Sequence, residues 1–382
     1  MTKVSDAAQS RPPTPQRHWH TVSLQLVVLV VVVGLLGWFV FNAWSNLAAR
    51  HIGSGFGFLQ DTAGFSISES IVAYEIGDST LRAFAVGMVN TMRAAIPAIV
   101  LASLLGFTVG VGLISRNALV RSVARCYVDV VRNVPLLVQV LMWYFVITET
   151  LPDSADPIAL GSAAFISKGG LAVAIPDAPW YVVLVLLVAT LLIPAAVWRF
   201  SSMQRMAWRA LWQLVVCAAL VGLWVLQPAG WELPSQGAFG VAGGAALSPE
   251  WLSVVAALTL YSGAYCAEIV RGGIQAVHKG QWEACHALSM SRAQMLVRVI
   301  LPQSLRVIVP PYTSLIMNTL KGSSLAVAVG YPDIVSITTT SMNQNGQAIE
   351  CVAIIALVYL TLNLCTALVM GWVNKRVQLR ER

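Results

Sequence analysis

Eight apolar stretches separated by polar segments divide the chain, approximately at 22–43, 84–114, 134–148, 181–197, 211–226, 251–270, 307–329 and 348–373. An apolar stretch of about 20 residues is long enough to cross a bilayer as a helix. The seventh stretch is interrupted by Pro310, Pro311 and Gly322, which predicts an irregular span. The pattern therefore predicts an all-α polytopic membrane protein with about eight transmembrane helices.

Basic residues fall in alternate links between these stretches. The links after the second, fourth and sixth spans, and the C-terminal tail, are rich in arginine, whereas the other links are acidic or carry few basic residues. Arginine and lysine concentrate on the cytoplasmic side of membrane proteins. The alternation places both termini inside and the segment 46–83 outside.

The composition supports a membrane protein. Charged residues make up only 11% of the chain and apolar residues 57%, with a mean hydropathy of +0.72, whereas soluble domains carry about 25% charged residues. The net charge of +7 is explained by the inside links, so nucleic acid is not an expected partner. The six cysteines form no CxxC pair, and the five histidines have no metal-ligand spacing. The chain has no Walker A motif, so any ATP hydrolysis must come from another chain. It also has no nucleophile elbow, and we expect no catalytic site and no resident metal or cofactor.

The longest basic link, at 277–306, predicts two short helices. Trp282, Cys285 and Ser289 fall on one helical face. Ser291 and Gln294 have the spacing of a capping box that opens a second helix, and Pro302 is predicted to end it. Two short helices at a membrane face form a docking surface more readily than a catalytic site.

Ionisable residues near membrane depth are the candidates for a transport path, because burying them is costly. Glu268 lies three residues before Arg271, and Lys321 precedes Gly322 in the irregular span. Glu268, Lys321 and the hydroxyls of Ser323 and Ser324 are therefore candidate path residues. The alternative is that Glu268 and Arg271 form a structural pair on one helix face.

The basic link resembles the EAA loop of binding-protein-dependent ABC transporter permeases. Glu283, Ala284 and Cys285 match the Glu-Ala-Ala element, and Ile300, Leu301 and Pro302 match the later Ile-x-Leu-Pro element. Ser289 replaces the glycine of that pattern. If the turn requires positive φ, a serine there should cost roughly 1 kcal/mol; otherwise the turn avoids the left-handed region.

Four further segments extend the resemblance to the polar amino-acid subfamily of these permeases. They are AEIVRGGIQAVHKGQWEA, YVDVVRNVPLLVQVLMWYF, GMVNTM and NTLKGSSLAVAVGYPDIV. Over nearly its whole length, the chain is most similar to the Q-type permease subunit of general L-amino-acid transporters.

The resemblance implies the fold of a type I ABC importer permease in the bacterial inner membrane. The apolar stretches and the charge alternation divide the chain into a cytoplasmic tail at 1–21, a first transmembrane helix at 22–45, a periplasmic segment at 46–83, a permease domain at 84–373 and a cytoplasmic tail at 374–382. The permease domain would contain an extra helix pair at about 180–228 and a coupling loop at about 277–306.

The resemblance also implies partners. Two ATPase subunits, which hold the ATP and Mg, would dock on the loop through Gly280, Glu283, Ala284, Ser289, Leu301 and Pro302. A second permease subunit, a periplasmic amino-acid-binding protein and membrane lipid are the other expected partners. The alternative function is a channel or secondary transporter without an ATPase, which would not need such a docking loop.

Overall fold

A computed structural model describes residues 17–49, 55–177, 215–216, 222, 230–237 and 240–378. The predicted fourth and fifth spans, and with them nearly all of the extra helix pair at 180–228, lie outside the described residues.

Helices dominate the described chain, as the hydrophobic pattern predicts. They are α1 (Arg17–Ala49), α2 (Thr80–Leu113), α3 (Ala118–Asn133), α4 (Leu136–Thr150), α5 (Pro249–Gln275), α6 (Lys279–Ala287), α7 (Arg292–Met295), α8 (Leu301–Gly322), α9 (Ile334–Asn345) and α10 (Ala348–Val377). A short 3-10 turn spans Gly57–Leu59, a π-helical turn (Leu296–Ile300) joins α7 to α8, and a 3-10 segment (Ser323–Val329) follows α8.

Helices α2 and α5 form the centre of the bundle. Gly106 and Gly110 on α2 lie directly against α5, and a Cβ added at Gly106 would stand 2.3 Å from the Cβ of Cys266. At Gly110 the carbonyl oxygen of Ala267 would be 2.8 Å away. Small residues one turn apart let two membrane helices approach closely, so these glycines set the distance between α2 and α5.

Three described helices, α2, α5 and α10, are long and apolar enough to cross a membrane. Helices α3 and α4 are bent by 104° at their junction. If this bent pair is counted as a single span, the described residues contain four spans. The basic link between the second and third predicted spans contains a helix, since α3 occupies nearly all of it. Its arginines lie along a strongly amphipathic helix, and α4, with 15 residues, is short for a span by itself.

The prolines do not break the chain where the sequence predicted. Pro302 lies in the first turn of α8 rather than ending a helix, and Pro310 and Pro311 lie inside α8. Pro302 follows the π-helical turn, in which the N–H of Leu301 donates to the carbonyl of Leu296, so the helix continues past this proline after a local change in hydrogen-bond spacing. The irregular backbone of this span begins only at Ser323.

Among the described residues, eight short strands lie in the chain between α4 and α5, in addition to the predicted helices. They are β1 (Ile158–Ala159), β2 (Ala164–Ser167), β3 (Gly170–Val173), β4 (Ile175–Pro176), β5 (Trp231–Glu232), β6 (Ser235–Gly237), β7 (Gly240–Ala242) and β8 (Ala245–Leu247). The four-stranded sheet has the order β1-β2-β3-β8, and β4 pairs with β5, β6 with β7, all antiparallel. Asp177 donates its backbone N–H to the carbonyl of Gly230 at 3.1 Å, so the two ends of the segment 178–229 meet.

An ion pair ties the segment before α2 to the helices. The carboxylate of Glu69 lies 2.5 Å from the guanidinium of Arg93 on α2, with both side chains 15% exposed. Ser248, at the start of α5, donates its hydroxyl to Glu69, and Asn90 donates to the carbonyls of Glu69 and Pro332. These contacts fix the segment over the ends of α2 and α5.

Candidate functional site

Helix α6 is the predicted first helix of the basic link. His278 precedes it, and its Nδ1 accepts the backbone N–H of Gly280 at 3.1 Å. A side-chain acceptor at this position satisfies one of the N–H groups that the first helical turn leaves free.

The two faces of α6 have different surroundings. Trp282 and the buried Cys285 pack into a cluster with Met295 and Ile300. Glu283 is exposed on the opposite face. Ala284 is also exposed, and the Leu288 side chain is 75% exposed. Leu288 follows the last residue of α6, so the helix has one packed face and leaves Glu283, Ala284 and the adjoining Leu288 accessible.

The turn after α6 adopts the left-handed conformation at Ser289, with a φ of 52°. Ser289 donates its N–H to the carbonyl of His286 at 2.9 Å, and Met290 donates to Cys285 at 3.1 Å. These two bonds form a Schellman motif, which normally has glycine at this position. Of the two possibilities left open by the sequence, the strained one is observed, and Ser289 is the only non-glycine residue with positive φ among the described residues.

The capping box predicted at Ser291 is confirmed. Its N–H donates to Oε1 of Gln294 at 3.0 Å, and its Oγ accepts the N–H of Gln294 at 3.3 Å. The helix that starts there continues through the π-helical turn into α8, so Leu301 and Pro302 belong to the same continuous helical path as the second helix of the loop. Pro302 is exposed, and Leu301 and Gly280 are half-buried.

A cavity of about 450 Å³ lies mainly between α5 and α8. It is lined by Leu136, Tyr261, Ser262, Tyr265, Leu315, Asn318 and Thr319. The rings of Tyr261 and Tyr265 lie 4.9 Å apart, and the guanidinium of Arg132 lies 4.9 Å from the centre of the Tyr265 ring. The cavity therefore combines apolar walls with hydroxyl and amide groups, and a cation stands beside it.

The predicted path residues lie apart from this cavity. Glu268 pairs with Arg271 at 2.6 Å, which is the structural alternative that the spacing allowed. Lys321 is exposed and makes no ion pair among the described residues. The hydroxyls of Ser323 and Ser324 donate to carbonyls of the preceding helical turn, at 2.6 and 2.7 Å. Their part in a transport path stays a prediction.

Sequence reasoning missed the residues that line the cavity. Tyr261 and Tyr265 are four residues apart and therefore share a helix face, which is the signal that could have found them. Asn318 and Thr319 carry no charge, so a search for ionisable groups passes over them.

The family model of the binding-protein-dependent transport system inner membrane component matches residues 98–379. The general L-amino acid transport system permease protein AapQ of Rhizobium johnstonii is 36% identical over 376 residues, covering 95% of this chain and 94% of the relative. The putative amino-acid ABC transporter permease protein YhdX of Escherichia coli is 38% identical, covering 94% of each chain. The glutamate/glutamine/aspartate/asparagine transport system permease protein BztB of Rhodobacter capsulatus is 32% identical, covering 95% of each. These matches confirm the predicted helical fold of an importer permease and a transport role rather than an enzymatic one. The chain belongs to the family of inner membrane components of binding-protein-dependent transport systems.

Proposed function

We propose that this chain is the permease subunit of an ATP-driven amino-acid importer in the bacterial inner membrane. The relatives named above are amino-acid permeases that align over nearly the whole chain. The observation that carries the proposal is the exposure of Glu283 on α6, and of Leu288 directly after this helix, at the position of the coupling loop. ATP and Mg would belong to partner ATPases. A second permease subunit and a periplasmic amino-acid-binding protein complete the assembly.

The coupling role falls to the residues on or beside this exposed face. Glu283 is the docking anion and Ala284 lets the partner surface approach closely, while Gly280, Ser289, Leu301 and Pro302 set the direction of the loop. The opposite face of α6 is packed against the chain that leads into α8. A push on α6 by an ATPase would therefore be passed to α8 through packed side chains.

The substrate path runs through the cavity between α5 and α8. A zwitterionic amino acid needs partners for both charges in such a site, because an unpaired buried charge is costly. Arg132, next to Tyr265, is placed to attract the carboxylate. The faces of Tyr261 and Tyr265 can attract the ammonium group. Glu268, Lys321, Ser323 and Ser324 would line the path above or below this cavity.

The extra helix pair at 180–228 fits the strand pairing around it. Because residues 177 and 230 are hydrogen-bonded, the intervening segment starts and ends on the same side of the membrane. An even number of crossings satisfies that condition.

The segment 46–83 lies on the periplasmic side, so a cysteine introduced at exposed Ser70 should react with an impermeant thiol reagent from outside.

The decisive experiment replaces Glu283 with alanine in the assembled transporter. Uptake of labelled amino acids should fall while the variant stays in the membrane and ATP hydrolysis loses its dependence on substrate. Glu149→Ala, at an exposed glutamate on the far end of α4, is the matched control and should transport normally. Normal uptake by the Glu283 variant would refute the docking role, and uptake without any ATPase would favour a channel or secondary transporter.

A further inference from the structure

A second cavity, of about 420 Å³, lies behind the coupling helix on the side away from its exposed face. Its walls come from the link between α2 and α3, the end of α5, helix α6 and the chain from Arg292 onwards. It is separate from the cavity between α5 and α8, with no lining residue in common. Neither docking on α6 nor passage of substrate uses it.

The charged and titratable side chains that line this cavity are all basic. Arg116, Arg121 and Arg292 contribute three guanidinium groups, and His286 contributes an imidazole. No aspartate or glutamate lines it, and none of the three arginines forms an ion pair within the described chain. Three like charges around one cavity repel each other, and an anion bound among them would remove that repulsion.

The geometry also favours a bound anion over solvent alone. Arg121 is half-buried, and its Nη1 donates to the carbonyl of Ser115 at 3.0 Å, which holds the guanidinium against the α2–α3 link. Trp282 and Met295 supply apolar walls, and low-dielectric walls strengthen the field of the charges they enclose. The volume is within the range of about 300–1,000 Å³ that is typical of small-molecule sites.

We infer that this cavity binds a phosphoryl anion. Arginine presents a planar fork of N–H donors that matches phosphate oxygens, and basic pockets between helices on the cytoplasmic side suit anionic lipid headgroups. The shared chemistry is the phosphoryl group, which a phosphatidylglycerol headgroup or free phosphate can supply. Because one wall is α6 and another is the α2–α3 link, the bound anion would join the coupling loop to the bundle and stiffen it.

The test uses the full-length protein, purified with the subunits that accompany it. Native mass spectrometry would measure retention of phosphatidylglycerol against phosphatidylcholine, and thermal melting would measure the response to inorganic phosphate at constant ionic strength. The test variant is the double substitution Arg116→Gln and Arg292→Gln, at two exposed positions. Arg125→Gln is the matched control, since Arg125 is exposed on α3 and does not line the cavity.

We expect the double variant to bind the anion at least tenfold more weakly, because it loses the charge-assisted hydrogen bonds of two guanidinium groups. The control variant should bind the anion as the unmodified protein does. Selective retention of phosphatidylglycerol identifies a lipid headgroup, and a melting shift with phosphate alone identifies a free anion. The proposal is overturned if the double variant responds to both probes as the unmodified protein does, or if Arg125→Gln loses binding equally. It is also overturned if the double variant loses its ATPase subunits with anion binding unchanged, because the arginines would then bind a protein carboxylate.

Discussion

Replacing Ser289 with glycine tests whether the turn after α6 is strained. Ser289 has a φ of 52° and sits between two hydrogen bonds that close the end of α6. A non-glycine residue in the left-handed region is disfavoured by about 1–2 kcal/mol. Replacing Ser289 with glycine removes this cost. About 0.5–1 kcal/mol of the resulting stabilisation is lost again, because glycine has a larger backbone conformational entropy in the open turn. The net stabilisation of the turn should be roughly 0.5–1 kcal/mol.

Hydrogen exchange measures this local effect where whole-protein melting would dilute it. The N–H of Met290, bonded to the carbonyl of Cys285, is released when the turn opens. A net stabilisation of that size should slow its exchange by about two- to fivefold, after correction for intrinsic rates. Ser291→Gly is the matched control, because Ser291 has no positive φ. It also loses a capping side chain, so exchange there should become faster.

Unchanged or faster exchange at Met290 in the Ser289→Gly variant would refute the claim that the turn is strained. Uptake should persist in that variant, since the Ser289 hydroxyl makes no hydrogen bond among the described residues and glycine keeps both backbone hydrogen bonds of the turn. A strong loss of uptake with slower exchange would show instead that the hydroxyl group contacts a partner subunit.

Four further changes test the packing, the outer segment and the path. Gly106→Ala should destabilise the protein by about 1–3 kcal/mol or more, because the added Cβ would stand 2.3 Å from the side chain of Cys266 on α5. Gly112→Ala is the control and should melt normally, because its nearest neighbour would be 3.4 Å away. Equal melting temperatures of the two variants would contradict the close packing of α2 and α5. Glu69→Gln should loosen the segment before α2 by roughly 1–3 kcal/mol, because it removes the charged partner of Arg93, whose side chain is only 15% exposed. Faster protease cleavage within 55–79 would show this loosening, while unchanged cleavage would argue against it. Burial raises the pKa of Asp333 from 3.8 to about 7; the folded carboxyl thus keeps a proton that the unfolded chain has lost, and the melting temperature should fall between about pH 4 and pH 7 as the pH rises. Asp333→Asn should remove that part of the pH dependence, and an unaltered melting profile would count against it. Glu268→Gln should raise the substrate concentration needed for half-maximal uptake while ATP hydrolysis persists; reduced abundance with unchanged uptake kinetics would assign Glu268 a structural role.

The sequence alone determined the class of the protein and the local structure of the coupling loop. Long apolar stretches and alternating basic links are strong signals, because the bilayer requires both length and charge asymmetry. The capping box at Ser291 was also predictable, since it depends on bonds within a few residues. The sequence left open whether Ser289 has a positive φ, and the structure shows that it has.

Only the tertiary structure decided how the helices meet. The sequence did not predict that α3 is a helix bent sharply against α4, that helix α8 passes through its prolines, or that short strands join the ends of the segment 178–229. The sequence allowed Glu268 to pair with Arg271 but did not decide between that pair and a path residue, and it did not predict that Tyr261 and Tyr265 line the cavity between α5 and α8. Local signals cannot settle these features, because each depends on which distant residues come into contact when the bundle packs.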